Sequence, residues 1–95
     1  MLFTLIHSPF QCDFKAMLRL LQPRDDLLML QDGVIAALKG TQALADLQLC
    51  GARLYVLADD AEARGLSAQI SSEIAVVDYD EFIALTVRNV KQVLW

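Results

Sequence analysis

Cysteine is the residue type in this chain with the widest chemistry, and Cys12 is the sharper of two candidates. Ser8 and Pro9 favour a helix start, so the Cys12 thiol is predicted to lie in the first helical turn. The positive end of a helix dipole lowers a thiol pKa, and a thiolate there could pass sulfur or react with oxidants. No lysine, arginine or second cysteine is visibly placed to activate it, and cysteine is also a common small core residue.

The second cysteine, Cys50, stands just before Gly51 and a predicted strand, which is typical of a packing or loop residue. The two cysteines are far apart and form neither a Cys-x-x-Cys pair nor a dense disulfide pattern. Free thiols in a reducing compartment fit this usage best.

A second candidate for chemistry is the rim beyond the carboxyl ends of the predicted strands, where open α/β sheets bind ligands. Its members are His7, Ser8, Gln31, Asp32, Gly33, Ala58, Asp59 and Asp60. Paired carboxylates can exchange protons, but turn and capping chemistry also accounts for Asp32 and Asp59. The segment after the first strand offers neither a glycine for a phosphate nor an acidic pair for Mg²⁺, and one histidine builds no metal cluster. We therefore predict no catalytic, cofactor-binding or metal-binding residues.

The composition points to a protein partner. Hydrophobic residues, counted with tyrosine and without glycine, make up 56% of the 95 residues, against a usual share of about 45–50%. A domain of this size buries only roughly 60–68% of its unfolded surface, so part of the excess is expected to stay outside and meet another chain. The alternative is that a parallel sheet, buried on both faces, absorbs the excess internally.

Charge and hydropathy narrow the partners and the location. A net charge of −4 repels phosphate backbones, so direct nucleic-acid binding is not expected. No apolar run approaches the about 18 residues of a membrane span. The apolar start, Met1–Ile6, is short and lacks a cationic lead-in, so it does not resemble a signal peptide, and we expect a cytosolic protein.

Short apolar runs alternate with amphipathic ones across residues 1–95, with no repeat or linker, which indicates one domain. The continuous runs predict strands at Met1–Ile6, Leu27–Leu30, Leu54–Leu57, Ile74–Val77 and Val93–Trp95. Strands that alternate with helices imply right-handed crossovers and helices on both faces of the sheet. The expected fold class is therefore α/β, a small flavodoxin-like three-layer domain with a mostly parallel four- to five-stranded sheet.

Capping signals place the helices between those strands. The first helix is expected to begin at Ser8-Pro9, to end before Pro23, and to bury one face that carries Phe10, Phe14, Met17, Leu18 and Leu21. A short helix is expected at Val34–Leu38, and Thr41 is expected to cap a further turn through Leu44 and Leu47. Asp59 with Glu62, before Gly65, and Asp78 with Glu81, before Phe82 and Leu85, predict the last two helices.

Three segments and the closing residue resemble the TusB/DsrH family of small sulfur-relay subunits. They are Leu27-Leu28-Met29-Leu30-Gln31-Asp32-Gly33-Val34-Ile35-Ala36-Ala37, Ala63-Arg64-Gly65-Leu66, Val76-Val77-Asp78-Tyr79-Asp80-Glu81-Phe82-Ile83-Ala84-Leu85-Thr86, and Trp95. Length and motif order match as well, and the resemblance spans almost the whole chain. It implies the DsrEFH-like version of the α/β fold.

The resemblance also implies a function. Members work in a cytosolic heterohexamer with two copies each of TusB-like, TusC-like and TusD-like chains, and the TusD-like chain carries the persulfide cysteine. Sulfur arrives from a TusA-like donor and leaves to a TusE-like acceptor, toward 2-thiolation of the wobble uridine in tRNA. Residues 58–66, where TusD-like chains place that cysteine, contain none here. The resemblance therefore implies a structural, non-catalytic subunit.

Three alternatives stay open. Cys12 could itself carry persulfide in the same relay, the chain could be a DsrH-like subunit of sulfur oxidation, or it could bind a small ligand at the strand-end rim. Some DsrH-type members have a cysteine in the first helix where this chain has Met17, which favours the TusB side. Partner contacts are expected on the exposed side of the first two helices, including Phe10 and Leu38, and on the Phe82 segment.

Overall fold

The computed structural model describes all residues from 1 to 95 and contains a five-stranded sheet whose paired strands are all parallel. The strands are β1 (Leu2–Leu5), β2 (Asp26–Met29), β3 (Arg53–Leu57), β4 (Ala75–Val77) and β5 (Gln92–Leu94). Their spatial order is β4-β3-β2-β1-β5, so the chain steps from β1 to β4 and then crosses back to pair β5 with β1. The predicted parallel α/β class is confirmed.

Four α-helices connect the strands: α1 (Phe14–Leu20), α2 (Gln42–Cys50), α3 (Ala58–Ala63) and α4 (Tyr79–Arg88). Two 3-10 helices, Gln31–Ala37 and Ser67–Gln69, complete the connections. Because successive side chains on a strand point to opposite faces, each strand contributes to two separate cores. The helices divide unequally between these cores.

On one face of the sheet, which we call the helix-rich face, the strands pack against α1, α2, α3 and the first 3-10 helix. Its core contains Phe3, Leu5, Phe14, Met17, Leu21, Leu27, Met29, Val34, Ala36, Ala37, Leu44, Leu47, Val56, Ala61, Ile70 and Ile74. On the opposite face, which we call the α4 face, the core contains only Leu2, Leu28, Leu57, Val77 and Leu85. Leu85 is the buried residue of α4, and α4 is the one helix that contributes to this core.

The first helix begins later than the sequence predicts. The Ser8 hydroxyl accepts a hydrogen bond from the Phe10 N–H at 3.2 Å, and the Ser8 carbonyl accepts one from the Gln11 N–H at 2.9 Å. This local bonding forms a turn in place of a helix start. The N-cap is Asp13, whose carboxylate accepts the Ala16 N–H at 3.1 Å. Phe10 consequently lies outside the helix and is exposed, which corrects its assignment to the buried face.

The other capping predictions have mixed outcomes. Asp78 and Glu81 form the reciprocal capping box at the start of α4, and the Thr41 hydroxyl caps α2 as predicted. Asp59 is not a cap, because α3 already begins at Ala58 and no side chain caps it. Asp59 instead lies in the first turn, where its charge favours the helix dipole.

A close backbone contact joins the first 3-10 helix to β1. Gly33 is buried, and a Cβ atom at this position would collide with the backbone carbonyl of Leu5. The turn before it includes Gln31, which has a positive φ of 52°. The absence of a side chain at Gly33 lets this segment pack directly on the end of β1.

Candidate functional site

The predicted strand-end rim separates into two groups. Over the ends of β2 and β3, the Gln31 N–H donates to the Asp60 carboxylate at 2.6 Å. Arg64 donates from Nε to Asp32 Oδ1 at 3.0 Å and from Nη1 to the Asp60 carbonyl at 3.2 Å. Asp32 and Asp60 are thus held by different donors, an arrangement that stabilises the turns after the strands.

The residues that follow β1 are tied to the end of the chain. His7 Nδ1 forms a hydrogen bond with the Trp95 carbonyl oxygen at 2.8 Å, and the Trp95 indole N–H donates to the Asp13 carbonyl at 3.0 Å. Ser8 is buried and caps its own turn. His7 therefore ties the loop to the residue after β5, and Ser8 stabilises its own turn. Neither side chain converges with the carboxylates of the rim.

Cys12 does not occupy the electrostatic environment that the sequence predicted. It precedes the N-cap Asp13 and lies outside α1, half-buried against the helix-rich core. Burial raises the pKa of the Cys12 thiol, and the neighbouring Asp13 carboxylate raises it further. The expectation of a lowered thiol pKa is wrong, because the chain reaches its helix start one residue after the cysteine. Cys50 also packs on this core, and its Sγ donates to the Leu47 carbonyl at 2.8 Å.

The strongest polar cluster surrounds Asp26, the first residue of β2, whose side chain is fully buried. Arg53 Nε donates to its Oδ1 at 2.6 Å. Arg88 Nη2 and Asn89 Nδ2 donate to its Oδ2 at 3.0 Å and 2.9 Å. Arg88 also donates to the Tyr55 hydroxyl at 3.3 Å. The cluster joins β2, β3 and the end of α4.

Electrostatics show what the Asp26 carboxylate can do. Burial by itself raises the pKa of Asp26, but the hydrogen bonds from Asn89, Arg88 and Arg53 outweigh burial and hold that pKa below its ordinary value. The hydrogen bond between Arg88 and Asp26, together with the one to Tyr55, raises the pKa of Arg88. An ionised carboxylate whose two oxygens are both engaged is poorly suited to accept a proton from a ligand. It fixes the end of α4 to the sheet.

Sequence reasoning missed this cluster, although a signal was available. A charged residue, Asp26, begins an otherwise apolar strand, and Arg53 stands just before the next apolar run. Parallel strands in register place Asp26 directly beside Arg53. Only the return of the chain after α4 adds Arg88 and Asn89, which are 62 and 63 residues away in sequence.

The outward side of α4 carries an apolar surface, which we call the α4 strip: Tyr79, Ile83, Val87 and the following Val90. These side chains are 58%, 50%, 79% and 98% exposed. Residues 79, 83 and 87 recur every four positions and share a helical face, opposite the buried Leu85. A surface helix ordinarily turns polar residues outward, and a helix with apolar residues on both sides is typical of a buried one. The apolar excess is therefore not absorbed inside the fold.

Shallow grooves flank α4 on both sides. The larger, which we call the β5 groove, has a volume of about 470 Å³ and lies between α4 and the edge strand β5. It is lined by Thr4, Ile6, Leu30, Gln31, Phe82, Gln92 and Leu94. The smaller, about 190 Å³, lies on the β4 side beside Tyr55 and Ala84. The half-buried Phe82 faces the β5 groove and packs edge-to-face on Tyr79, so the predicted Phe82 segment is part of this surface.

The remaining predicted contact positions lie elsewhere. Phe10 is exposed in the turn before α1, and Leu38 is half-buried and pairs with Ile70 in an isolated antiparallel bridge.

No three histidine, cysteine, aspartate or glutamate side chains come together in an arrangement that could hold a metal ion. None of the helices is both long and apolar enough to cross a membrane.

These features define a small three-layer α/β domain with an exposed apolar strip on α4 and polar clusters that hold its elements together. The chain belongs to the DsrH family, because the family profile described as DsrH like protein matches residues 7–92. This membership confirms the resemblance predicted from the sequence motifs.

Named relatives match the chain along its full length. It is 57% identical to "Protein TusB" of Erwinia tasmaniensis over 95 residues, which cover 100% of both chains. It is 47% identical to "Protein TusB" of Photorhabdus laumondii and 50% identical to that of Yersinia pestis, again over 100% of both chains.

Solved structures support the fold. The crystal structure of the ychN protein from E. coli superposes with a TM-score of 0.78 at 15% identity, covering 99% of this chain and 97% of that one. The solution structure of protein Tm0979 from Thermotoga maritima gives a TM-score of 0.68 at 27% identity, covering 96% and 97%. The small parallel α/β architecture is therefore shared with both.

Proposed function

We propose that this chain is a non-catalytic structural subunit of a cytoplasmic sulfur-relay complex. In this proposal it assembles with TusC-like and TusD-like chains into a heterohexamer that passes persulfide sulfur toward 2-thiolation of wobble uridine in tRNA. The observation that carries the proposal is the full-length identity of 57% to a protein named TusB. The chain itself contacts neither tRNA nor membrane; its role is to hold a catalytic partner.

The geometry around the thiols supports a non-catalytic role. The pKa of Cys12 is raised, which lowers the thiolate fraction available for attack on a persulfide. Cys50 is packed on the core and bonded to a helix carbonyl. Residues 58–66, after β3, form α3 and the turn that follows it and contain no cysteine. Sulfur would therefore enter from a TusA-like donor and leave to a TusE-like acceptor through the cysteine of the TusD-like chain.

Co-expression tests the assembly. The full chain, untagged, is produced with tagged TusC-like and TusD-like chains from the same source, and the captured material is analysed by gel filtration and native mass spectrometry. We expect one species with two copies of each chain. Elution of this chain as a separate monomer, with the other two chains associated without it, would contradict the proposal.

A cysteine substitution tests the alternative in which Cys12 carries sulfur. In a strain whose own copy is replaced by Cys12→Ser, we expect the 2-thiouridine content of tRNA, measured by nucleoside mass spectrometry, to stay unchanged. Cys50→Ser is the matched control, and substitution of the active cysteine of the TusD-like chain should abolish thiolation. A loss confined to Cys12→Ser, with added sulfur on Cys12 by mass spectrometry, would establish the carrier role instead.

A further inference from the structure

The α4 face is one helix short of a complete layer. Three α-helices and a 3-10 helix cover the helix-rich face, whereas α4 alone covers the other face. The α4 strip on the outward side of this helix, formed by Tyr79, Ile83, Val87 and Val90, has no cover of its own. A second helix laid along the strip would pack on α4 at the usual interaxial distance of about 8–10 Å.

The charges along α4 indicate which helix fits this place. Its first turn and cap carry Asp78, Asp80 and Glu81, its last residue is Arg88, which pairs with Asp26, and Lys91 follows in the loop before β5. The helix is therefore acidic at one end, basic at the other, and apolar along the α4 strip between them. A second helix with the same pattern complements it when the two run antiparallel. The positive end of each helix dipole then lies beside the negative end of the other, which is favourable.

We propose that two copies of this chain associate through α4 about a two-fold axis, with the α4 strip of each copy covering the α4 strip of the other. An antiparallel pair centred between Ile83 and Val87 places Ile83 of one copy beside Val87 of the other. It also brings the acidic end near Lys91 of the partner copy. An isologous two-fold contact uses the same patch on both copies, as a self-complementary strip requires. The proposal goes beyond the relay role, which needs two copies but not their contact.

A matched pair of exposed apolar residues tests the location. Val87 on the α4 strip is 79% exposed, and Leu49 on α2 is 85% exposed on the opposite side of the sheet. Sedimentation equilibrium of the full chain alone should show a concentration-dependent dimer. Val87→Asp should weaken the dimer at least about tenfold, since each copy buries one charge, and Leu49→Asp should leave it unchanged. A wild-type chain that is monomeric throughout, or equal effects of the two variants, would overturn the proposal.

A charge exchange tests the antiparallel orientation. The homodimers of Asp80→Lys and of Lys91→Asp should each dissociate, because each variant places like charges opposite one another across the two-fold axis. Mixing the two variants should produce a heterodimer, because each lysine then meets an aspartate of the other chain. The double variant should also dimerise. A mixture that stays monomeric while the wild type dimerises would exclude this pairing.

The outcomes separate this inference from the proposed function. A chain that dimerises through the α4 strip and captures no relay partner supports the inference and contradicts the relay role. If the isolated chain is monomeric and Val87→Asp abolishes capture of the TusC-like or TusD-like chain, the strip contacts a relay subunit. That result would overturn the inference and support the relay role.

Discussion

The two faces of the sheet share five strands but differ in how they are covered. On β2, Leu27 points to the helix-rich face and Leu28 points to the α4 face, and both side chains are fully buried. Leu27 belongs to a core of 16 buried residues, whereas Leu28 belongs to a core of 5 beneath a single helix. The helix-rich face has isolated exposed apolar residues such as Leu49, whereas the exposed apolar residues of the α4 face form a continuous strip along its single helix. A single strand thus contributes to a large core and to a small one.

The largest expected effect comes from truncating one buried leucine in each of the two cores. We expect Leu27→Ala to lower the free energy of unfolding by about 4 kcal/mol, within the range for buried leucines. Leu28→Ala should cost less, about 2–3 kcal/mol, because α4 can settle into the vacated space. Urea denaturation at one fixed, low protein concentration measures both. Equal losses would break the comparison between the faces.

The next effect concerns the anchor between α4 and the sheet. Asp26→Asn should lower the free energy of unfolding by about 3 kcal/mol, because removing a buried charge leaves its partners uncompensated. The half-exposed side chains of Arg53 and Arg88 keep the loss at the lower end of that range. Asp59→Asn, on exposed α3, is the control and should change stability little. A similar loss for both variants would show that Asp26 does not clamp α4.

The stability of the protein should depend on pH through the ionisation of Asp26. The folded-state pKa of Asp26 lies below its unfolded value, so its stabilisation is present above about pH 4 and is lost as the pH falls through the folded pKa. The stability difference between wild type and Asp26→Asn should therefore shrink in acid. Urea titrations at neutral pH and at successively lower pH values measure it. A difference that stays constant into strong acid would contradict the assigned ionisation.

The smallest effect tests the cap of the only helix on the α4 face. Asp78→Ala should cost about 1 kcal/mol, because the Glu81 N–H loses the Asp78 carboxylate that accepts it at 2.8 Å. Asp59→Ala is the matched control, since Asp59 lies inside the first turn of α3 and caps nothing. Thermal or urea unfolding should separate the two variants. A loss at Asp59 as large as that at Asp78 would refute the cap assignment.

Local sequence patterns predicted each strand to within one residue at each end, and they identified the Thr41 cap and the Asp78–Glu81 capping box. These features depend on neighbours a few residues away. The helix start at Ser8 was wrong because Ser8 forms a local turn and Asp13 caps the helix, and the cap at Asp59 was wrong because α3 begins at Ala58 without a side-chain cap. The distant Trp95 indole also bonds the carbonyl of the Asp13 cap, and Asp60 accepts the Gln31 N–H across the sheet edge.

The sequence by itself determined the alternation of elements, the parallel α/β class and the membership of a family, since periodicity and motif order are local or linear properties. Only the tertiary structure decided strand order, the Asp26 cluster and the raised pKa of the Cys12 thiol, because each depends on residues distant in the chain. It also decided where the apolar excess goes. The sequence left open whether an apolar helix face packs inside the fold or on a partner, and the position of α4 over the sheet leaves Ile83 and Val87 exposed as part of the α4 strip.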